Sequence, residues 1–385
     1  MNKNILIFCS WLEADSNIGI FFKEQAELIS IKYNPILVVF KKKPSSFLSF
    51  NRKPEILEKK TTGGLFILEV HFSNTVKYSI RTNSGFEEMA LKALNNYLIS
   101  KDLEPSFIHA QSLFDAGIWA YRYFTKFKTP YILTEHNQLS FYKVKPEKCD
   151  LVVTALRNSK RNLVVSNDKI RQFITNGLFF DFENIGNLVN KNFFYNPDKK
   201  KNKKKRLVTI GAYTPLKDQK TLLNALQIVD QKIATRIEFV WIGYDGWGGD
   251  HDSEVKLLLS NFQFKNIDVI LFPLLDRTEI AEYLQQSNLF IFSSLTEGMP
   301  VSVLEALACG LPVFTSNCGG VDEIINEQNG IIFQIKDYQR LSEAMLDFLD
   351  NKMYYDLKAI SENIIGKFGE DAFREKLLSI YQQVT

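Results

Sequence analysis

The chain has 385 residues, which at about 150 residues per domain predicts two domains rather than one core. Its hydrophobic fraction of 45% and charged fraction of 24% are typical of a globular protein. The formal net charge of +3 is too small for the strongly basic surface of a nucleic-acid-binding domain, so we expect no nucleic-acid partner.

The chain contains four widely spaced cysteines, Cys9, Cys149, Cys309 and Cys318. They form no C-x-x-C pair and have no histidine at zinc spacing, which favours reduced thiols over a disulfide or metal site. No apolar run approaches the roughly 18 residues of a membrane span. The apolar N-terminus runs directly into Glu13 without the cleavage pattern of a signal peptide. We therefore expect a cytoplasmic protein, free or held at the inner face of the membrane.

Short apolar runs alternate with helix-period segments along the first half of the chain. The first predicted helix is Ile20–Lys32, and the predicted strands are Asn4–Phe8, Ile36–Phe40, Leu65–Val70, Phe107–Ala110, Tyr131–Thr134 and Leu163–Ser166. This alternation is typical of a parallel sheet with helices on both faces. Residues 1–190 are therefore predicted to form a doubly wound, Rossmann-like α/β domain.

A polar stretch interrupts this rhythm at residues 191–206. Asn196 and Pro197 are a turn signal, and residues 198–206 are almost entirely charged, with nothing to bury. We interpret residues 191–206 as a basic linker between domains. The alternative is a contact with anionic lipid.

A second strand–helix series follows the linker. The predicted strands are Leu207–Gly211, Ile237–Ile242, Ile267–Leu271, Leu289–Phe292, Pro312–Thr315 and Gly330–Phe333, and the predicted helices include Lys217–Val229, Tyr338–Asp350 and Asp371–Gln382. Residues 207–365 are predicted to form a second Rossmann-like domain, and residues 366–385 a C-terminal helix that crosses back to the first. Two such domains are expected to face each other across a cleft, with ligands beyond the carboxyl ends of the strands.

The most informative segment is 292–322, FSSLTEGMPVSVLEALACGLPVFTSNCGGVD. A strand is predicted to end at Phe292, and Pro300 stands where a helix begins. The turn from Glu297 through Gly298, Met299 and Pro300 to Val301 thereby places free amides and the positive end of a helix at the edge of the sheet. Such a helix start suits a diphosphate, and Gly298 allows close backbone approach.

Glu297 and Glu305 lie on either side of this helix start. Each alone has an ordinary explanation, as an acid near a helix N-terminus or as a surface residue. In this strand–loop–helix context, Glu297 is placed to meet a sugar and Glu305 to accept hydrogen bonds from ribose hydroxyls.

The segment resembles the E-x7-E signature of family-4 retaining glycosyltransferases, which have two Rossmann-like domains in the GT-B arrangement. Residues 207–225 (LVTIGAYTPLKDQKTLLNA) and 239–243 (FVWIG), together with the Cys318-Gly319-Gly320 turn, fall in the family's order. The resemblance implies that Glu297 contacts the transferred sugar, that Glu305 binds the donor ribose, and that the amides around Gly298, Met299, Pro300 and Val301 hold the diphosphate. It also implies a nucleotide diphosphate sugar as donor and no metal or other cofactor.

Lys217 lies in the loop after the Leu207–Gly211 strand. By the resemblance, its ammonium neutralises the departing diphosphate, and Gly211 and Gly243 belong to the donor site. The family commonly has an arginine directly after the glycine corresponding to Gly211, whereas this chain has Ala212. Donor binding is then weaker, or another cation substitutes, for which Arg277 is the candidate.

The resemblance is weaker in the first half. Gly19, in the motif Asn17-Ile18-Gly19, follows the first strand and is assigned to the donor site, with a simple tight turn as the alternative. His136 follows a predicted strand and matches a family histidine near the donor sugar and acceptor, where it would orient a hydroxyl or move a proton. His109 occupies the family's H-x-H position, with Gln111 replacing the second histidine, and is as well explained by packing.

Two further stretches have mainly ordinary interpretations. Residues 41–53 (KKKPSSFLSFNRK) mix cations with aromatic residues; they form a surface loop or, alternatively, an anchor at an anionic membrane surface. His251 lies among aspartates in a glycine-rich loop whose ligand order fits no calcium loop.

The sequence therefore predicts a metal-independent, retaining glycosyltransferase of the GT-B arrangement that acts on a glycan or lipid-linked acceptor, in cell-surface polysaccharide biosynthesis. Glu297, His136 and Lys217 are its candidate catalytic residues. The alternatives are a nucleotide-sugar epimerase of the same fold and a non-catalytic nucleotide-sugar-binding module. A nicotinamide oxidoreductase is disfavoured because neither domain opens with G-x-G-x-x-G.

Overall fold

The chain forms two compact units. The computed structural model describes residues 2–14, 18–44, 53–61, 63–74, 80–137, 145–198, 200, 202–246 and 251–384. Unit 1 comprises Met1–Val165, Ile170–Ile185 and Arg374–Thr385, and unit 2 comprises Ser166–Lys169 and Gly186–Phe373. No helix in these ranges has the length and apolar composition needed to span a membrane.

Unit 1 is built on an eight-stranded sheet with the order β3-β4-β2-β1-β5-β6-β7-β8. Its strands are β1 Lys3–Cys9, β2 Tyr33–Pro44, β3 Glu55–Lys60, β4 Phe66–Asn74, β5 Phe107–Gln111, β6 Tyr131–Glu135, β7 Asn162–Val164 and β8 Phe182–Asn184. Every neighbouring pair is parallel except β3 with β4. The six predicted strands are present; the sequence missed only the two edge strands, β3 and β8, because half-exposed edges lack a continuous apolar run.

Helices cover both faces of this sheet. They are α1 Ile20–Ile29, α2 Ile80–Ser100, α3 Ile118–Phe127, α4 Pro146–Asn158 and α5 Asn167–Thr175. In β1, the consecutive side chains of Ile5, Leu6, Ile7 and Phe8 are all at most 1% exposed. Successive side chains of a strand point to opposite faces, so both faces of β1 are buried, as a doubly wound sheet requires.

Unit 2 contains a six-stranded, all-parallel sheet with the order β11-β10-β9-β12-β13-β14. Its strands are β9 Arg206–Ile210, β10 Ile237–Ile242, β11 Ile267–Phe272, β12 Leu289–Phe292, β13 Val313–Ser316 and β14 Gly330–Phe333. Each predicted strand of the second half is present within one or two residues of its expected bounds. The two sheets, one all-parallel and one parallel except for its edge strand β3, confirm the predicted class of two Rossmann-like α/β domains.

The remaining helices are α6 Gln219–Lys232, α7 Asp252–Ser260, α8 Arg277–Gln286, α9 Val301–Ala308, α10 Tyr338–Leu349, α11 Leu357–Phe368 and α12 Glu370–Gln382. The sequence prediction omitted α11. Its signals were present: the Asp356 side chain caps it by accepting from the Ala359 amide at 3.0 Å, and Ile360 and Ile364, four residues apart, are buried.

Residues 191–206, the predicted linker, lie within unit 2 and make specific contacts there. The Tyr195 amide donates to Ser361 Oγ at 3.2 Å. Lys204 pairs with Asp268 at 2.8 Å, and Lys205 Nζ donates to the Leu349 carbonyl at 2.7 Å. Several cations of this basic run thus have partners on unit 2.

His109 is a buried, hydrogen-bonded core residue of unit 1. Its Nδ1 lies 2.7 Å from the hydroxyl of Tyr381 in α12, and its Nε2 lies 2.7 Å from Thr134 Oγ1. Burial, reinforced by the nearby His136, lowers the pKa of His109 to about 3. The packing interpretation of this histidine therefore accounts for its contacts without a catalytic role.

The depressed pKa of His109 predicts a loss of stability on acidification. The folded protein holds this imidazole neutral, so the unfolded chain binds more protons below its ordinary pKa of about 6.5, and stability falls as the pH drops from there towards 3. Between pH 7 and pH 5, the free energy of unfolding should fall by about 2 kcal/mol more for the wild-type protein than for His109→Gln. Urea unfolding at the two pH values measures this difference. An identical pH dependence for the variant and the wild-type protein would contradict this assignment.

Candidate donor-sugar site

The strand order of unit 2 places a topological switch point between β9 and β12. These strands are neighbours although they are not consecutive in the chain. Connections leave them towards opposite sides of the sheet, which opens a crevice beyond their carboxyl ends, where ligands of such sheets bind. The loops that follow the two strands carry Lys217 and Glu297, which sequence analysis selected.

Hydrogen bonds join the two loops. The Ser293 hydroxyl lies 3.0 Å from the carbonyl oxygen of Lys217. The Leu295 amide donates to the Leu216 carbonyl at 2.7 Å. These bonds fix the backbone that carries Lys217 against the backbone that leads to Glu297.

Lys217 and Glu297 form an ion pair, with Nζ 2.7 Å from Oε1. The Ser294 hydroxyl lies 2.7 Å from the same carboxylate oxygen, and the ammonium lies 5.0 Å from the centre of the Phe292 ring. Only 26% of the lysine side chain and 19% of the glutamate side chain are exposed. Reduced solvation strengthens such a charge-assisted bond, so the two groups are held in place together.

Two side chains hold the turn before α9 in place through hydrogen bonds to its carbonyl groups. The buried Ser166 hydroxyl donates to the Gly298 carbonyl at 2.8 Å. The side-chain amide nitrogen of the buried Asn187 donates to the Met299 carbonyl at 2.9 Å. A trans peptide directs its N–H opposite to its C=O. The Met299 amide is therefore directed away from Ser166. In the first turn of α9, the amides of Val303 and Leu304 donate to the Pro300 carbonyl at 3.2 and 3.3 Å, which leaves those of Val301 and Ser302 without an intrahelical acceptor.

Glu305 is almost completely buried and is paired with Arg277. Its side chain is 7% exposed, and its Oε1 lies 2.8 Å from a terminal nitrogen of the arginine. The guanidinium carbon lies 5.0 Å from the centre of the fully buried Phe193 ring. Arg277, the candidate to replace the cation missing at Ala212, is thus in contact with the other glutamate of the motif.

The two glycines assigned to this site end adjacent strands. Gly211 follows β9, its amide donates to the Ile242 carbonyl at 3.0 Å, and its own carbonyl accepts from Trp241 Nε1 at 2.8 Å. A Cβ at Gly211 would lie 3.6 Å from the Lys217 side chain. Gly243 follows β10 with a φ of 79°, a left-handed conformation that favours glycine.

Gly19 and His136, the candidates from the first half, belong to unit 1. Gly19 begins α1 with a φ of 73°, and a Cβ there would approach the Trp11 carbonyl to 2.7 Å, so packing alone requires this glycine; Asn17 of its motif lies outside the described residues. His136 Nε2 lies 2.6 Å from Gln111 Oε1. The glutamine that replaces the family histidine is thus a direct partner of His136.

Two further observations concern a thiol near the site and possible metal ligands. Burial, together with the Glu297 carboxylate, raises the pKa of the Cys318 thiol to about 12, so this cysteine stays protonated and is a poor nucleophile. Within the described residues, no three His, Cys, Asp or Glu side chains are grouped as metal ligands. Asp250, part of the His251 loop, lies outside those residues.

The two Rossmann-like α/β domains match the GT-B class of two-domain proteins. Residues 190–366 match the family described as "Glycosyl transferases group 1". The fold extends over the whole chain: sucrose-phosphate synthase from Thermosynechococcus elongatus superposes with a TM-score of 0.77 at 15% identity, covering 100% of this chain and 99% of that one.

Two relatives illustrate the sequence similarity. The N,N'-diacetylbacillosaminyl-diphospho-undecaprenol alpha-1,3-N-acetylgalactosaminyltransferase of Campylobacter jejuni is 34% identical over 110 residues, which are 28% of this chain and 29% of that protein. An uncharacterized glycosyltransferase of Methanocaldococcus jannaschii is 26% identical over 297 residues, 74% of this chain and 78% of that protein. The match to the first relative thus spans less than a third of its length.

Ser166 and Asn187 were not identified from the sequence, because a lone serine and asparagine outside any motif carry no signal. Only folding brings them within hydrogen-bonding distance of the Gly298 and Met299 carbonyls. Gly320 shows the same dependence: its φ is 65°, and a Cβ there would lie 2.3 Å from the Gly298 carbonyl oxygen.

We predict that Gly320→Ala disturbs the turn that carries Glu297. The left-handed φ and the close carbonyl together should lower the free energy of unfolding by more than about 1 kcal/mol, measured by chemical denaturation. Gly366→Ala is the matched control, because a Cβ there meets nothing within 4 Å and helical alanine is favoured over glycine by up to about 1 kcal/mol. Equal stability of the two variants would refute the close packing of Gly320 on the turn.

Proposed function

We propose that the protein is a retaining glycosyltransferase that moves a sugar from a nucleotide diphosphate sugar to a hydroxyl group of a glycan or lipid-linked acceptor. The observation that carries this proposal is the Lys217–Glu297 ion pair, 2.7 Å long. It lies at the switch point of the sheet, in the part of the chain that matches the family "Glycosyl transferases group 1". A cation and a carboxylate beside a helix start are suited to a diphosphate and to the sugar attached to it.

The proposed reaction breaks the bond between the sugar C1 and the diphosphate oxygen and forms a bond from C1 to the acceptor oxygen. The acceptor approaches the face from which the diphosphate leaves, and its proton passes to the departing phosphate oxygen. The products are a nucleoside diphosphate and a glycoside with retained configuration. The Lys217 ammonium stabilises charge on the leaving group, and the Glu297 carboxylate stabilises positive charge developing at C1.

The other candidates complete the donor site in this proposal. The Met299, Val301 and Ser302 amides donate to the diphosphate, and Glu305 accepts from the ribose hydroxyls. Gly211 and Gly243 leave room at the strand ends. His136 of unit 1 orients a hydroxyl of the reacting sugars, with its ring held by Gln111. Because an ammonium supplies the positive charge, we propose that no metal is needed.

The acceptor class is supported by similarity. The name of the Campylobacter jejuni relative specifies a sugar on diphospho-undecaprenol, a lipid carrier. We propose a lipid-linked acceptor of this kind and a place in cell-surface polysaccharide assembly. A peripheral contact with an anionic membrane would bring the enzyme to such an acceptor.

Donor binding can be tested with nucleotides. One nucleoside diphosphate among UDP, GDP and ADP should stabilise the protein against thermal unfolding, by about 2.7 kcal/mol at 100 times its Kd. Lys217→Met should weaken this binding about ten- to a hundredfold, because a hydrogen bond to a charged group contributes about 1.5–3 kcal/mol. Lys220→Met is the matched control, since Lys220 is exposed on α6. A protein that responds to none of these nucleotides, or only to NAD, lacks the proposed donor site.

Catalysis is tested separately from binding. Glu297→Gln keeps the shape of the side chain but removes its charge, so nucleotide binding should persist while transfer to acceptor falls at least about a hundredfold. Transfer by the wild-type protein should be unaffected by EDTA. Turnover that needs no acceptor would indicate an epimerase or hydrolase, and turnover that survives Glu297→Gln would remove Glu297 from the mechanism.

Membrane association is a further prediction. Of residues 41–53, the structure describes 41–44 and 53. We expect the protein to co-sediment with vesicles that contain anionic lipid more than with neutral ones, and Arg52→Glu with Lys53→Glu to reduce this difference. Equal binding to both vesicle types would argue against an electrostatic contact through this stretch.

A further inference from the structure

The geometry points to Arg277 as a positioning residue that acts through Glu305 and thereby sets recognition of the donor ribose. This inference rests on the proposed function, in which Glu305 accepts hydrogen bonds from the ribose. It assigns Arg277 a role different from that of a second cation for the diphosphate.

The first supporting observation is the burial of Glu305. Its side chain is 7% exposed, and its Oε1 lies 2.8 Å from Arg277. A carboxylate so far removed from water is stabilised by a close positive partner. Without Arg277, Glu305 would lose this partner, so its carboxylate would move from its present position and accept hydrogen bonds from the ribose less well.

The second observation is that the arginine is itself held in place. Its guanidinium packs over the ring of Phe193, with 5.0 Å between the guanidinium carbon and the ring centre, and Phe193 is fully buried. A cation–π contact with a buried ring restricts the position of the guanidinium. Phe193 and Arg277 together therefore restrict where the Glu305 carboxylate can lie.

The third observation is the position of Arg277 in α8. It is the first residue of this helix, directly after the N-cap Asp276, whose side chain and that of Glu279 form a capping box. A cation at the positive end of a helix is unfavourable for the helix itself. Helix formation therefore does not account for an arginine here, whereas the ion pair with Glu305 in α9 does.

A binding experiment with modified nucleotides tests this inference. The probes are the nucleoside diphosphate that binds the wild-type protein, its 2′-deoxy and 3′-deoxy analogues, and the corresponding monophosphate, each titrated calorimetrically. Wild-type protein should discriminate about ten- to a hundredfold against the analogue that lacks the recognised hydroxyl, as expected for a hydrogen bond to a charged acceptor. Arg277→Gln should reduce this ratio to near one and leave the diphosphate-to-monophosphate ratio unchanged.

Ratios of affinities do not depend on the fraction of protein that is folded, so a destabilised variant still gives a valid answer. Glu305→Gln should lose the same ribose discrimination, and the double variant should lose no more than Glu305→Gln alone. Arg236→Gln is the matched control, because Arg236 also pairs with a carboxylate of unit 2, Asp268 at 2.9 Å, but its side chain is 64% exposed.

Three outcomes would overturn the inference. If Arg277→Gln keeps the ribose discrimination but lowers the diphosphate-to-monophosphate ratio, Arg277 contacts the phosphates directly. If both ratios are unchanged, the ion pair serves only the fold. If Glu305→Gln loses the discrimination and Arg277→Gln does not, the carboxylate does not need its partner. Failure of the wild-type protein to bind any nucleoside diphosphate would instead refute the proposed function.

Discussion

The carboxyl edge of the unit 2 sheet depends on the pairing of two poorly solvated carboxylates with two cations. Lys217 holds Glu297 at 2.7 Å and Arg277 holds Glu305 at 2.8 Å. The four side chains come from loops and helices that follow three strands, β9, β11 and β12. Removing any one of them would leave an opposite charge without its partner in a partly buried setting, which is costly. The pairs therefore hold the strand-end loops together as well as supplying chemical groups.

In unit 1, His109 and His136 contact uncharged groups. His109 is buried and kept neutral between Tyr381 and Thr134. His136 is half-buried and paired with the neutral amide of Gln111. Imidazole and amide groups are suited to orienting hydroxyls, which agrees with the role proposed for His136.

Hydrogen bonds to backbone carbonyls and a close glycine contact fix the conformation of the turn after Glu297. The carbonyls of Gly298 and Met299 are anchored by Ser166 and Asn187, and Gly320 leaves the space that the Gly298 carbonyl occupies. The peptide planes of the turn are thus set before any ligand arrives. A preorganised set of amides loses less entropy on binding an anion than a loop that must first order.

The sequence by itself determined the fold class and most of the secondary structure. Continuous apolar runs indicate parallel strands that are buried on both faces. The helices between them are recognisable from the spacing of their apolar residues along the sequence. The E-x7-E spacing and its glycine and proline likewise located the start of α9, because caps and helix breakers act locally. The edge strands β3 and β8 were missed because their half-exposed residues lack that pattern.

Only the tertiary structure determined which side chains pair with one another. That Arg277 meets Glu305, 28 residues further along the chain, and that Ser166 meets Gly298 follows from the crossing of helices and strands rather than from any local pattern. The same holds for His109, whose neutral state depends on burial and on Tyr381 near the other end of the chain. Burial and long-range contacts arise from three-dimensional packing, and a linear motif records the residue types but not the neighbours that set their charge and orientation.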